Sequence, residues 1–129
     1  MDVETLKNVP LFADVPDESL AKVAIFTQLV AFHAGKTIVA DGGFANDFYA
    51  IEDGEVEVSK DGEVLASLGA GDTFGEAALL EGEPRNADVI AKTSVRAIKI
   101  EHWELSRMRR AMPEVIERLK ATVQARAAG

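Results

Sequence analysis

Cysteine is absent from this chain, and histidine, tryptophan and tyrosine occur only two, one and one times. Without cysteine there is no disulfide scaffold, no thiol nucleophile and no thiolate-bound metal. That composition suits a reducing compartment, and a cytoplasmic protein is expected. No apolar run approaches the roughly 18 residues of a membrane span, so no membrane partner is expected. The acidic start, Met1-Asp2-Val3-Glu4, lacks the basic and then apolar pattern of a signal peptide. Metal chemistry inside a β-barrel needs several converging imidazoles or carboxylates. Here His33, just before Ala34-Gly35, reads as a strand-end or turn residue, and His102 reads as a helix start. No Gly-x-Ser-x-Gly elbow is present for a serine nucleophile. Ala34-Gly35-Lys36-Thr37 matches the end of a P-loop, but that loop needs glycine five positions before Gly35, where Val30 stands. No acid–base pair stands out from the many carboxylates. An enzyme is therefore not expected, and no catalytic residue, metal or cofactor is assigned.

What is present is an acidic globular chain. Hydrophobic residues make up 47% and charged residues 28% of 129 residues, with a net charge of −8. That length predicts one domain, over 1–129, and it can bury roughly two-thirds of its unfolded surface. The charge is uneven. Residues 101–129 hold six basic residues against four glutamates, leaving 8 basic and 18 acidic residues in 1–100. Such a body repels phosphate backbones, so a nucleic-acid partner is not expected. The basic tail reads as a solvated helical face.

Glycine sets the organisation. Eight of the ten glycines fall between Gly35 and Gly75, with short alternating runs between them. Phe48-Tyr49-Ala50-Ile51 leads to Asp53-Gly54, and Val56-Glu57-Val58 stops at Asp61-Gly62, a two-residue hairpin signal. Val64 to Leu68 is the return strand, and Ala87 to Ala91 and Val95 to Ile100 follow. Short strands at regular turns predict an antiparallel β-roll or jelly-roll barrel over about 25–100. Helical patterns bracket it. Pro16-Asp17-Glu18-Ser19-Leu20 opens an N-terminal helix with Leu20, Val23 and Ala24 on one side. Trp103, Leu105 and Met108 suit a second helix, and Pro113 starts a third. Its Ile116, Leu119, Val123 and Ala127 share one face and are expected to pack on the barrel or on a partner. The class is mainly β with flanking helices, the C-terminal pair over about 102–127.

One stretch carries chemistry. It runs from Phe74-Gly75-Glu76 through Ala77-Ala78-Leu79-Leu80 and Glu81-Gly82-Glu83-Pro84-Arg85-Asn86 to Ala87-Asp88-Val89-Ile90-Ala91. Gly75 permits a tight turn and close backbone approach. Residues 76–80 are good helix formers, and the unpaired N–H groups at a helix start can hold an anion. Arg85 offers a planar fork for two phosphate oxygens, and Glu76 can accept from a sugar hydroxyl. Together they make a cradle for a phosphorylated sugar.

The stretch resembles the phosphate-binding cassette of cyclic nucleotide-binding domains, the sensors of catabolite activators, cyclic-AMP-dependent kinase regulatory subunits and cyclic-nucleotide-gated channels. The matching residues are Phe74-Gly75-Glu76, the small apolar run Ala77 to Leu80, Pro84-Arg85 and Val89-Ile90-Ala91. The resemblance extends over nearly the whole chain. Leu11-Phe12 with Pro16 to Leu20 looks like the family's first helix, Phe48 to Val56 like its central hairpin, and Gly69 to Phe74 like the lead into the cassette. It implies a module that binds a cyclic nucleotide, cyclic AMP or cyclic GMP. Glu76 would take the ribose 2′-hydroxyl, and Arg85 the cyclic phosphate. Gly75 and the N–H groups near Ala77, Ala78 and Asn86 would assist. The base would lie in the roll mouth under the last helix, with Arg118 and Gln124 as base or lid contacts. Ligand would be reported by ordering and docking of that helix, to an unidentified protein effector.

The chain departs from the family pattern in places. Ala77 replaces a larger aliphatic residue, and Ala45-Asn46 a common Gly-Asp. Glu81 and Glu83 place charge near the anion site. Asn86 stands where Thr or Ser favours guanine and Ala is common in adenine binders; Asn both donates and accepts, and the reading leans to cyclic AMP. The alternative is a degenerate roll that binds no nucleotide and serves as a protein-interaction domain.

Overall fold

The computed structural model describes residues 3–40, 47–75 and 87–128. Two short helices open the chain: α1 (Val3–Lys7) and α2 (Asp17–Val23), each followed by a 3₁₀ turn, Pro10–Phe12 and Ala24–Phe26. Eight strands follow: β1 (Gln28–Phe32), β2 (Thr37–Val39), β3 (Phe48–Asp53), β4 (Val56–Lys60), β5 (Glu63–Leu68), β6 (Thr73–Phe74), β7 (Asp88–Ala91) and β8 (Val95–Ile100). Two helices close it, α3 (His102–Ala111) and α4 (Pro113–Ala128). The strands form two four-stranded antiparallel sheets, in the orders β1-β8-β3-β6 and β2-β7-β4-β5. This is the helix-flanked antiparallel β-roll that the glycine punctuation and alternation predict.

Alternation along β3 and β8 explains why the chain has two cores. Tyr49 and Ile51 of β3, with Val95 and Ala97 of β8, face the roll interior. There they join Val39, Val56, Phe74, Val89 and Ala91 of the other strands. Phe48, Ala50, Ile98 and Ile100 point the opposite way, into a second cluster built with the helices. Both faces of β3 are thus covered, and Phe48 through Ile51 are all buried. The hairpin from β4 to β5 turns through Asp61 and Gly62, both at positive φ (52° and 82°), as an Asp-Gly type I′ connection requires.

The helices bind one another as well as the sheet. Leu6, Phe12, Leu20, Leu105, Met108, Ile116 and Leu119 are fully buried together, each contributing about 1.5–3 kcal/mol through burial. The ammonium of Lys7 bonds Asp17 at 2.9 Å, linking α1 to α2. That bond holds the Lys7 pKa above its usual range, although so exposed a pair adds little stability.

The structure refines three expectations. The N-terminal helix is preceded by the separate five-residue α1. Trp103, Leu105 and Met108 lie on one helix, as expected; Leu105 and Met108 are buried, whereas Trp103, about 200° around the helix from Leu105, is 52% exposed. The last helix is formed over Pro113–Ala128 and packs against α3 and the Pro10–Phe12 turn, with Val115, Ile116 and Leu119 buried in the cluster that the helices share with the outer face of the first sheet. The side chains of Val123 and Ala127 lie outside the description. No described helix is long and apolar enough to cross a membrane.

Candidate functional site

Three aromatic rings line one end of the roll. Tyr49 meets Phe32 edge-on at 6.1 Å and lies flat on Phe74 at 4.8 Å. Phe74 is the last residue of β6, and Tyr49 is its partner across the ladder. The turn before β6 is fastened on both sides. The Gly69 N–H donates to the Asp72 carboxylate at 2.8 Å, and the Ile51 N–H to the Asp72 carbonyl at 2.9 Å. The chain is therefore fixed in position where it reaches Gly75.

Gly75 has φ +82°, and a Cβ there would collide with the backbone carbonyl oxygen of Asp47. Sequence alone assigns this glycine a tight turn and close approach, and both are present. Among the sequence-predicted ligand residues, Glu76, Ala77, Ala78, Arg85 and Asn86 lie outside the described residues. The chain is described again from Ala87, and β7 continues from Asp88 in the opposite sheet, paired with β4 and β2.

Both residues expected on the last helix are exposed. Arg118 donates from Nη1 to the Asp14 carbonyl oxygen at 2.6 Å, tying α4 to the loop between Phe12 and α2. Gln124 lies further along α4.

Sequence reading passed over Asp47, a nearly buried acid just before β3. Its Oδ1 accepts the backbone N–H of His102 at 3.0 Å and lies 3.5 Å from the His102 ring Nδ1; its Oδ2 is 3.7 Å from Lys99 Nζ. The one available signal was a charged residue directly before the buried run Phe48 to Ile51. Among the described residues no cluster of His, Asp and Glu could hold a metal ion. Two crevices on the helical side, one of about 200 Å³ beside Phe26 and Trp103 and one of about 130 Å³ between Arg109 and Ile116, fall below the usual size of ligand pockets.

Comparison with known proteins agrees with this arrangement. The family model described as "Cyclic nucleotide-binding domain" matches residues 29–111. A cAMP-dependent protein kinase regulatory subunit of Schizosaccharomyces pombe is 41% identical over 92 residues, covering 70% of this chain and 22% of that protein. Among solved structures, the regulatory domain of Toxoplasma gondii PKA, crystallised with cAMP, is 28% identical with a TM-score of 0.76, covering 95% of this chain and 48% of that one. The regulatory subunit of a cAMP-independent protein kinase A from Trypanosoma brucei is 27% identical with a TM-score of 0.78, covering 95% and 46%. The chain spans 22% to 28% of the length of the curated relatives it matches.

Proposed function

The chain belongs to the cyclic nucleotide-binding domain family, and from that premise we propose that residues 1–129 act as one regulatory module binding one cyclic nucleotide, cyclic AMP in preference to cyclic GMP. The observation that carries this is Gly75, held in a left-handed turn at the end of β6. Directly after it in sequence comes Glu76, and ten residues after it Arg85. In this reading Arg85 takes the cyclic phosphate with the N–H groups near Ala77, Ala78 and Asn86, and Glu76 takes the ribose 2′-hydroxyl. A charged fork on a phosphate supplies the strongest hydrogen bonds of such a site. The base lies at the roll mouth, with Gln124 and Arg118 of α4 as its lid contacts. The module catalyses nothing; it passes ligand occupancy through α4 to a protein effector, in the cytoplasm. Support for cyclic AMP comes from similarity to kinase regulatory subunits whose names or titles carry cAMP.

A second reading has one specific observation behind it. One similar structure is of a cAMP-independent kinase's regulatory subunit, so this roll also suits a module that serves only as a protein-interaction domain. Calorimetric titration with cyclic AMP and cyclic GMP separates the two. The expected result is one site per chain with tighter binding of cyclic AMP. Tighter cyclic GMP overturns the base preference, and absence of binding by both overturns the nucleotide reading and leaves the interaction domain as the one to test.

A further inference from the structure

We infer that Asp47 is a positioning residue for the ligand site: its backbone carbonyl seats the turn at Gly75, and its carboxylate fastens that seat to the start of α3. The inference rests on the reading of residues 75–86 as the ligand cassette. Asp47 itself has no part in that cassette and reaches the ligand only through Gly75.

Two contacts of one residue carry the argument. The Asp47 carbonyl oxygen occupies the place a Gly75 side chain would take, with the Asp47 carbonyl carbon at 3.3 Å and Phe48 Cα at 3.4 Å from that point. Gly75 therefore sits directly on the peptide between Asp47 and Phe48. Meanwhile the carboxylate accepts the first N–H of α3, from His102, at 3.0 Å. Helix starts are usually capped by the residue just before them. Here that residue, Glu101, makes no cap and instead accepts from the Gln28 side-chain amide. The acceptor for α3 comes from 55 residues away. A local cap would serve the helix alone, whereas this one fixes α3 against the strand that seats Gly75. Lys99 at 3.7 Å and the His102 ring at 3.5 Å surround the carboxylate from β8 and α3. Removing the carboxylate leaves these donors without their anion. It also frees the Asp47 peptide to rotate, although the ladder pair of Tyr49 and Phe74 still holds the strands.

The test breaks the link from each side. Asp47→Ala removes the acceptor. His102→Pro removes the N–H donor together with the ring, at a first helical position that tolerates proline, and the extended Glu101 (ψ 151°) suits a following proline. His102→Ala keeps the N–H and is the control. Folding is checked by circular dichroism, the Gly75 amide resonance by NMR without nucleotide, and cyclic AMP affinity by calorimetry. Asp47→Ala and His102→Pro should both move the Gly75 resonance and weaken cyclic AMP by about tenfold, the scale of one charge-assisted hydrogen bond; His102→Ala should do neither. A Gly75 resonance unmoved in both variants, or wild-type affinity in both, reduces Asp47 to a helix cap and overturns the inference. If Asp47→Ala does not fold, His102→Pro alone decides. If the wild-type chain binds neither cyclic nucleotide, the functional reading fails, and the Gly75 resonance alone judges the link.

Discussion

Tyr49 lies flat on Phe74, ring centroids 4.8 Å apart and planes 14° from parallel, at the point where β6 gives way to Gly75. Phe74 thus serves the roll core and the candidate site at once. Phe74→Ala should cost about 3–5 kcal/mol in urea unfolding, as large-to-small changes at buried aromatics do. Phe74→Leu should cost much less because it keeps most of the volume. Equal losses for the two would mean that the volume leucine keeps contributes nothing and that the ring stacked on Tyr49 carries the stability itself.

Gly75 and Gly62 share φ +82°, but only Gly75 has backbone where a Cβ would go. Gly62→Ala therefore reports the left-handed strain alone, about 1–2 kcal/mol. Gly75→Ala should cost clearly more in thermal unfolding, since the Asp47 carbonyl cannot swing aside like the end of a flexible side chain. It should also weaken cyclic AMP. Similar melting temperatures for the two variants would show that the close approach is not maintained in solution.

Arg85→Ala tests the phosphate assignment. Truncating one partner of a desolvated charge pair costs about 2–5 kcal/mol, so calorimetry should show cyclic AMP affinity falling by at least about thirtyfold. An affinity equal to wild type would remove Arg85 from the site.

Linear 5′-AMP should bind far more weakly than cyclic AMP. Its terminal phosphate carries nearly two charges, against one on the cyclic diester, and Glu76, Glu81 and Glu83 lie within eight residues of one another in sequence. Extra negative charge beside such carboxylates is unfavourable. Competition titration measures the ratio, and comparable affinities would point to a generic anion site.

The roll was legible where chemistry is local. Asp61-Gly62 between alternating runs marked the β4–β5 hairpin, and Gly75 declared its turn because few residues other than glycine adopt that backbone. Elements that depend on distant partners left weaker traces. Strand β1 lies at a sheet edge with alternate residues only half covered, β6 has two residues, and α1 is a single turn with a small excess. Asp47 was not legible as an anchor because Gly75 and His102, which give it meaning, lie far along the chain. The last helix was legible as amphipathic, but not the surface it covers: the Pro10–Phe12 turn that it packs against offers only a short apolar run of its own.

The last prediction concerns α4 as the reporter. The structure holds its first half firmly: Val115, Ile116 and Leu119 are buried among the helices, and Arg118 bonds the Asp14 carbonyl at 2.6 Å. Undocking those three side chains would cost about 5–9 kcal/mol at the usual value per buried aliphatic residue. That cost would be subtracted from the binding energy and would weaken the ligand by several orders of magnitude. The response compatible with useful affinity is therefore confined to the outer half, beyond Leu119, where Gln124 is exposed. Nucleotide at a hundred times its dissociation constant stabilises the fold by about 2.7 kcal/mol, so amide exchange should slow across 75–91 in any case. The specific expectation is further slowing over 120–126 with cyclic AMP, while 113–119 changes little. Arg118→Ala supplies the companion measurement: without nucleotide it should speed exchange over 113–122, because one tie to the N-terminal segment is lost. Protection confined to 75–91, with 120–126 unchanged, would rule out α4 as the reporter and leave α3, fastened to Asp47, as the element to test next.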